Sequence, residues 1–297
     1  FLSVHGRALR GVASRLRHAQ KVAILTDAES SPARIASHLL DHGSGAWRAW
    51  VAEDLAGAGE RVRPFALADL ARETDFAALN VLVLERIGPR PPVLPHLEEA
   101  AFERRMPKKG LITKREVRTL ALALLRLRLD AVVWDIGAGS GSVAIEASML
   151  APEGRVFAVE VDAEGVALCR ENARAHGADN VEVVAGLAPD ALAGLPPPDA
   201  VFVGGSKGNM ESILAHAWSA LPEGGRLVVS AITLENVAEA YRWMRERGGA
   251  PEVVLAQVSR GEPLARYLRY EALNPVHLLA LTKTNDNGRE PREASDT

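Results

Sequence analysis

The sequence predicts an α/β protein: a doubly wound, mostly parallel seven-stranded sheet in the C-terminal part, preceded by half of a second α/β domain. Three observations predict it. Short apolar runs alternate with amphipathic helical stretches from residue 21 to 85, and again from 114 to 283. Four prolines between residues 88 and 99, which neither an inner strand nor a helix accommodates, separate the two alternations. Finally "WDIGAGSGSVAIE", residues 134–146, sets a glycine-rich turn between an apolar strand and a helix, an arrangement that usually holds a nucleotide.

Taken in order, "KVAILT" is the first clear strand, and "SPARIASHLLDHG" is a helix opened by serine and proline. "WRAWVAEDL" and "LNVLVLE" are further strands, completing half of an α/β domain over residues 1–88. The opening "FLSVHGRALRG" reads as the inside of a domain, so the chain is expected to be a piece of a longer protein. A proline-rich linker is expected over 89–107, and the second domain over 108–284. There "KREVRTLALALLRL" is an amphipathic helix. Strands follow at "AVVWDI", "RVFAVEV", "VEVVAG", "DAVFVGG" and "RLVVSAI", with helices near 142–150, 163–176, 209–221 and 234–247. Nearly continuous apolar strands imply a sheet covered on both faces. "PEVVLAQVSR" and "NPVHLLALTK" have no helix between them and are expected as an antiparallel pair at the sheet edge. Residues 285–297 form a polar tail, expected to be disordered.

Composition is that of a globular protein, 47% hydrophobic and 25% charged over 297 residues. No apolar run is long enough to span a bilayer and no basic-then-apolar leader opens the chain, so a cytoplasmic protein without a membrane partner is expected. The net charge of -3 argues against a globally basic nucleic-acid binder, and a nucleic-acid partner is not expected. Cys169 is the one cysteine, which excludes an internal disulfide framework and a zinc-cysteine cluster; no metal site is expected. Its place on the apolar face of "VALCREN" points to packing rather than nucleophilic chemistry.

A dinucleotide fold uses G-x-G-x-x-G with a pyrophosphate at the helix N-terminus. Here Gly137, Gly139 and Gly141 give G-x-G-x-G, with Ala138 and Ser140 between them and Asp135 two residues ahead. S-adenosylmethionine has no phosphate and needs close backbone approach, which glycine permits, so the spacing favours the methyl donor. Glu160 ends the next strand, 21 residues beyond Gly139, where a carboxylate can accept bonds from both ribose hydroxyls. That feature alone also fits NAD, and an NAD-linked oxidoreductase stays open as an alternative. Asp135 has a second reading as a cap of the turn that follows it. After the third strand stand Gly186, Leu187 and Ala188, where adenine would be read by backbone and apolar contact.

The loop after the fourth strand, "FVGGSKGNMESI", lacks the Asn/Asp-Pro-Pro-aromatic pattern of exocyclic-amine methylation. Its small residues Gly204, Gly205, Ser206 and Gly208 leave room for a broad substrate. "ERRMPKKGLITKREVR" carries seven basic residues against Glu103 and Glu116, and a second group comprises Arg260, Arg266 and Arg269. Such runs are most often solvated faces. Their place beside the cofactor half suggests an acidic substrate, with Lys108, Lys109, Lys207 and Arg266 as candidates for holding its carboxylates.

"GLITKREVR", "VVWDIGAGSGSVAIEA", "VFAVE", "DAVFVGGSKGNM" and "NPVHLLAL" resemble the decarboxylating precorrin-6Y methyltransferases of cobalamin biosynthesis, over residues 108–283. "SVHGR", "VAILTDAESSPARIASHLL" and "LNVLVLE" are similar to the second half of the tetrapyrrole methylase domain fused ahead of it in bifunctional members. The resemblance implies a class I, Rossmann-like S-adenosylmethionine fold that methylates carbon 15 of an anionic precorrin or cobalt-precorrin and decarboxylates the acetate of ring C. It implies cofactor contacts at Thr113, Gly137 through Gly141, Glu160 and Ala188, and a homo-oligomer, a tetramer. Lys207 stands where many relatives have a small residue. The fused partner would methylate carbon 5; with only its second half present, the chain by itself is expected not to. A competing reading makes the N-terminal half a docking or oligomerisation module.

Overall fold

The computed structural model describes residues 1–103, 112–247 and 250–284. Strands β1 (Leu2–Ser3), β2 (Lys21–Leu25), β3 (Trp47–Glu53), β4 (Arg61–Ala66) and β5 (Asn80–Arg86) form a five-stranded sheet in the order β1-β2-β5-β3-β4. The β1/β2 pair is parallel and the other three pairs are antiparallel. Helix α1 (Val12–Leu16), helix α2 (Pro32–Asp41) and the short α3 (Leu67–Leu70) pack against it over a core that includes Ile24, Ile35, Leu39, Trp47 and Leu84. The Ser31 hydroxyl accepts from the Arg34 N–H and Pro32 fills the first turn, which is why α2 starts there.

Strand β4 is absent from the sequence reading, because "RVRPFA" puts two arginines and a proline where a strand needs β-formers. Its edge position explains this: Pro64 needs no ladder donor there, and Arg61 and Arg63 bind the fully buried Glu53 of β3, at 2.9 Å each.

The second sheet is as expected in outline. Helix α4 (Arg115–Leu125) precedes β6 (Val132–Ile136), α5 (Ser142–Leu150), β7 (Arg155–Glu160), α6 (Ala163–Ala175), β8 (Val181–Ala185), β9 (Ala200–Val203), α7 (Met210–Ala220), β10 (Arg226–Ala231) and α8 (Leu234–Glu246). The chain then forms β11 (Glu252–Ala256), β12 (Ser259–Leu264), β13 (Tyr267–Ala272) and β14 (Val276–Thr282). The seven-stranded order is β11-β14-β10-β9-β6-β7-β8, parallel except for β14, which runs antiparallel to both neighbours. The expected antiparallel pair exists, with β14 inserted inside β11 rather than at the rim. Residues 259–272 form a separate two-stranded hairpin, β12/β13.

Strand periodicity sorts the residues onto two cores. Val133, Ala158, Phe202 and Val228 face α4, α5 and Cys169 of α6; Trp134, Phe157, Val201 and Val229 face α7 and α8.

Two buried polar junctions fix what surrounds the sheet. Arg118 of α4 pairs with Glu146 of α5 at 2.8 Å, both buried; Arg118 donates to the carbonyls of Thr113 and Leu97, while Glu146 accepts from the Leu97 N–H. This anchors the segment between the sheets. Asp179, just before β8, accepts from the Ala13 and Ser14 N–H groups, the Ser14 hydroxyl and His38 Nε2 at 2.7–2.9 Å, clamping α1 and α2 to the larger sheet.

Candidate cofactor-binding site

The strand order reverses direction at β6, which connects onward to β7 on one side while β9 returns on its other side. Beyond the carboxyl ends of strands at such a switch point, an α/β sheet opens a crevice. A cleft of about 290 Å³ lies there, lined by residues that include Ile136, Gly137, Gly139, Ser140, Val159, Glu160, Gly186, Leu187, Ala188, Gly205, Ser206 and Lys207.

The glycine turn is built from β7. The Gly137 and Ala138 N–H groups both donate to the Val159 carbonyl, at 2.9 and 3.1 Å, and the Gly139 N–H donates to Glu160 Oε2 at 2.7 Å. Gly137 has φ 75°, and a Cβ there would lie 2.6–2.8 Å from backbone atoms of Gly205. Two glycine backbones from β6 and β9 thus meet where any side chain would fill the floor of the cleft.

Glu160 is nearly buried, and Oε1 accepts from the Asp162 N–H at 2.8 Å. Each of its oxygens is engaged once by backbone, leaving a second acceptor position on each. Leu187, 42% exposed, faces the cleft together with buried Ala188, an apolar wall. Asn209 donates to the Ala188 carbonyl at 3.3 Å, tying the loop after β9 to the loop after β8. The site therefore offers a glycine floor, one acidic bidentate acceptor and an apolar flank. Such a donor set fits a nucleoside with vicinal hydroxyls joined to a non-phosphate arm.

A sequence profile of the precorrin methyltransferase domain family matches residues 104–283. The chain belongs to the precorrin methyltransferase family. It is 36% identical over 288 residues to the Sinorhizobium protein named precorrin-6Y C(5,15)-methyltransferase [decarboxylating], covering 95% of this chain and 68% of that one. It is 40% identical over 192 residues to a probable cobalt-precorrin-6B C(15)-methyltransferase (decarboxylating) of Pyrobaculum calidifontis, 64% of this chain and 96% of that one. The crystal structure of precorrin-6y C5,15-methyltransferase from Geobacter metallireducens superposes with a TM-score of 0.61 at 39% identity, over 65% of this chain and all of that one. Strand order and antiparallel β14 belong with this class I methyltransferase fold, not with the dinucleotide fold's order 3-2-1-4-5-6.

Around this cleft the candidate residues separate into groups. Gly137, Gly139, Ser140, Glu160, Gly186, Leu187, Ala188 and Lys207 line the cleft together. Ala138 lies within the turn but off the lining. Asp135 shares the period of Val133 and so points under α5: Oδ2 accepts from the Ala144 N–H at 2.9 Å, the carboxyl is 1% exposed, and Oδ1 has no partner. It caps α5 instead of facing the cleft. Burial, opposed by the Ala144 N–H and aided by the charge of Glu160, pushes this carboxyl up to about 7. Gly141 lies over α6, where a Cβ would meet Cys169 Sγ at 2.4 Å; the glycine serves helix packing. Cys169 is buried as expected, and burial pushes its thiol up to about 12.

Thr113 does not line the cleft; its carbonyl accepts from Arg118, and its neighbour Ile112 forms the wall. Lys108 and Lys109 lie outside the described residues. Arg266 stands exposed in the turn of the β12/β13 hairpin, donating to the Tyr267 hydroxyl, and is not among the residues that line the cleft. Arg260, read as part of a substrate-facing basic group, is consumed by structure: it binds Glu99 and Glu116 at 2.6–3.0 Å, pinning the hairpin to α4. Among the described lining residues Lys207 is the one cation, and it holds a left-handed φ of 51°.

Sequence reading missed Asp162, Gly165 and Leu168 of the cleft wall. A signal existed for one: Asp162 is the N-cap of α6, its carboxylate accepting from the Glu164 N–H at 3.1 Å, which brings the first turn of that helix against Glu160.

Proposed function

We propose that this chain methylates carbon 15 of a precorrin with S-adenosylmethionine and promotes loss of carbon dioxide from the ring C acetate. The observation that carries the reading is the glycine-floored cleft with Glu160, placed inside the segment that matches the family. Glu160 would hold the ribose hydroxyls, Leu187 and Ala188 the adenine, and the backbone of Gly137 and Gly139 the amino-acid arm. When bound, the cofactor supplies an electrophilic methyl on a sulfonium.

The chain contributes alignment and exclusion of water rather than a strong base, since an electron-rich macrocycle carbon is the nucleophile. The small loop Gly204 to Ser206 would admit a broad ring, and Lys207 beside it would pair with a peripheral carboxylate. Lys108 and Lys109 are proposed for the same role. Two modules, 1–88 and 108–284, joined by the segment between them, are proposed as the domain division. A homo-oligomer, a tetramer by family resemblance, and a cytoplasmic location complete the proposal.

Incubating the chain with S-adenosylmethionine and a precorrin-6Y-type substrate and recording the product mass tests this reading. One added methyl with loss of carbon dioxide is the expected result. Unchanged substrate in the presence of bound cofactor would refute the substrate assignment. Lys207→Ala should weaken tetrapyrrole binding roughly tenfold or more, the size of one lost charge-assisted contact, and leave cofactor affinity alone.

A further inference from the structure

A second cleft, of about 710 Å³, lies between the two sheets and is made by both. Its walls are the loop after β1, one face of α2 from the residues just before it to its C-cap, and Asp179 and Val181 at the start of β8. The cofactor cleft begins at Gly186, at the other end of the same strand. Five residues of strand at roughly 3.3 Å each separate the two clefts by about 17 Å. One functional group cannot lie in both.

The lining is cationic. Arg34 and His38 of α2 and its C-cap His42 follow one another at four-residue spacing, with the two imidazoles 4.3 Å apart between ring centroids. Arg7 and Arg10 project from the facing loop. Arg10 pairs with Glu182 at 2.8 Å, on a carboxylate that Arg155 also holds. Arg7 and Arg34 have no ion-pair partner among the described residues. Of the acids, Asp179 has no exposed side-chain surface and is occupied by His38, Ser14 and two backbone N–H groups of α1. Glu29 at the rim is the remaining carboxylate of the lining. Both ends of α2 border this wall, its first turn at Arg34 and its C-cap at His42, so the helix dipole adds no net charge of either sign and the arginines carry the field.

The walls are also rigid. Asp27 accepts from the Gly6 and Ser30 N–H groups at 2.5 Å each, and the Ser30 hydroxyl donates to the Arg7 carbonyl at 3.2 Å, so the loop bearing Arg7 is fixed against the turn that leads into α2. On the far side a Cβ at Gly43 would meet the Ala175 carbonyl oxygen at 2.7 Å, so the helices of the two sheets are in backbone contact. Arginines held on a fixed backbone around an open space, with one free acid against them, form a receptor for carboxylate groups.

We infer that this inter-sheet cleft is a second anion site, taking a ligand with several carboxylates, distinct from the methyl-transfer cleft and incomplete without either module. Its choice of a carboxylate-rich macrocycle as occupant rests on the proposed function; the alternative source of the same chemistry is a small free polycarboxylate. In the first case the N-terminal module retains the acidic ring beside the methyltransferase.

The test is the stoichiometry of uroporphyrin III, a fluorescent octacarboxylate, on the 297-residue chain, with R7Q/R34Q and R7K/R34K alongside. The chain is expected to bind two equivalents and R7Q/R34Q one, the lost equivalent weakening roughly tenfold or more. R7K/R34K, which keeps both charges, should retain it, and added salt should weaken it. Both arginines are exposed, and affinity for S-adenosylhomocysteine should be equal in all three proteins. Millimolar citrate that displaces only this equivalent identifies a small polycarboxylate as the occupant; resistance to citrate identifies the macrocycle. Equal stoichiometry and affinity in the chain and R7Q/R34Q would overturn the inference. A second equivalent that persists while the mass assay shows no methyl transfer would sink the proposed function alone.

Discussion

Gly137→Ala probes the floor of the cofactor cleft, with Gly208→Ala as its control. Both glycines hold left-handed φ, 75° and 87°, so both substitutions force an L residue into a conformation it rarely adopts. That strain costs about 1 kcal/mol in each case. Space separates them. A Cβ at Gly208 meets nothing within 4 Å, whereas at Gly137 it meets the Gly205 oxygen, nitrogen and Cα at 2.6, 2.7 and 2.8 Å. Those atoms are backbone on a strand end and cannot swing aside like a flexible side chain, so an overpacking cost of about 1–3 kcal/mol is added. Gly208→Ala should therefore lower the Tm by about 2–4 °C and Gly137→Ala, at about 2–4 kcal/mol in all, by about 4–16 °C, at about 2–4 °C per kcal/mol. Relief of the clash must separate two stretches of backbone that both line the cleft. S-adenosylhomocysteine affinity measured by calorimetry should fall tenfold or more in Gly137→Ala and stay unchanged in Gly208→Ala. Equal melting shifts and equal affinities would refute the argument that the two glycine backbones shape the site.

Glu160→Gln keeps the shape but puts an amide N–H against the N–H of Gly139 or Asp162; calorimetry should record at least a tenfold loss of S-adenosylhomocysteine affinity, and wild-type affinity would remove Glu160 from the site. Asp179→Ala strands two backbone donors of α1 in a buried junction, at about 1–3 kcal/mol each, and should split thermal unfolding into two transitions with the N-terminal sheet melting first; a single unshifted transition would contradict the clamp. At Glu99 and Glu116, burial is the largest single effect and raises the carboxyl pKa values, yet the hydrogen bonds and charge of Arg260, together with backbone N–H groups and Arg115, jointly outweigh it and hold both down to about 2. A depressed folded pKa stabilises the protein above the ordinary value of 4.5, and that stabilisation is lost as pH falls through about 2. Arg260→Gln should flatten the acid-unfolding profile in that window, and an unchanged profile would show that the triad contributes nothing there.

What the sequence determined by itself is local and periodic. The alternation of apolar runs with helices places β6 through β10 and α4 through α8 within a residue or two, because parallel strands buried on both faces must be apolar throughout. G-x-G-x-G, with an acid 21 residues beyond its middle glycine, marks two strand ends that sheet geometry brings side by side. Three things required the tertiary structure. The direction of Asp135 depends on which face its strand turns toward α5, so a residue adjacent in sequence to the glycine turn is buried away from the cleft. The fate of Arg260 depends on Glu99 and Glu116, far from it in sequence, which convert an apparent substrate cation into a strut for a hairpin. The inter-sheet cleft depends on Asp179 meeting α1 and α2, a contact between residues more than 140 positions apart. Side-chain charge is written in the sequence; whether it faces a ligand, a partner acid or water is decided only when distant segments pack and compete for it.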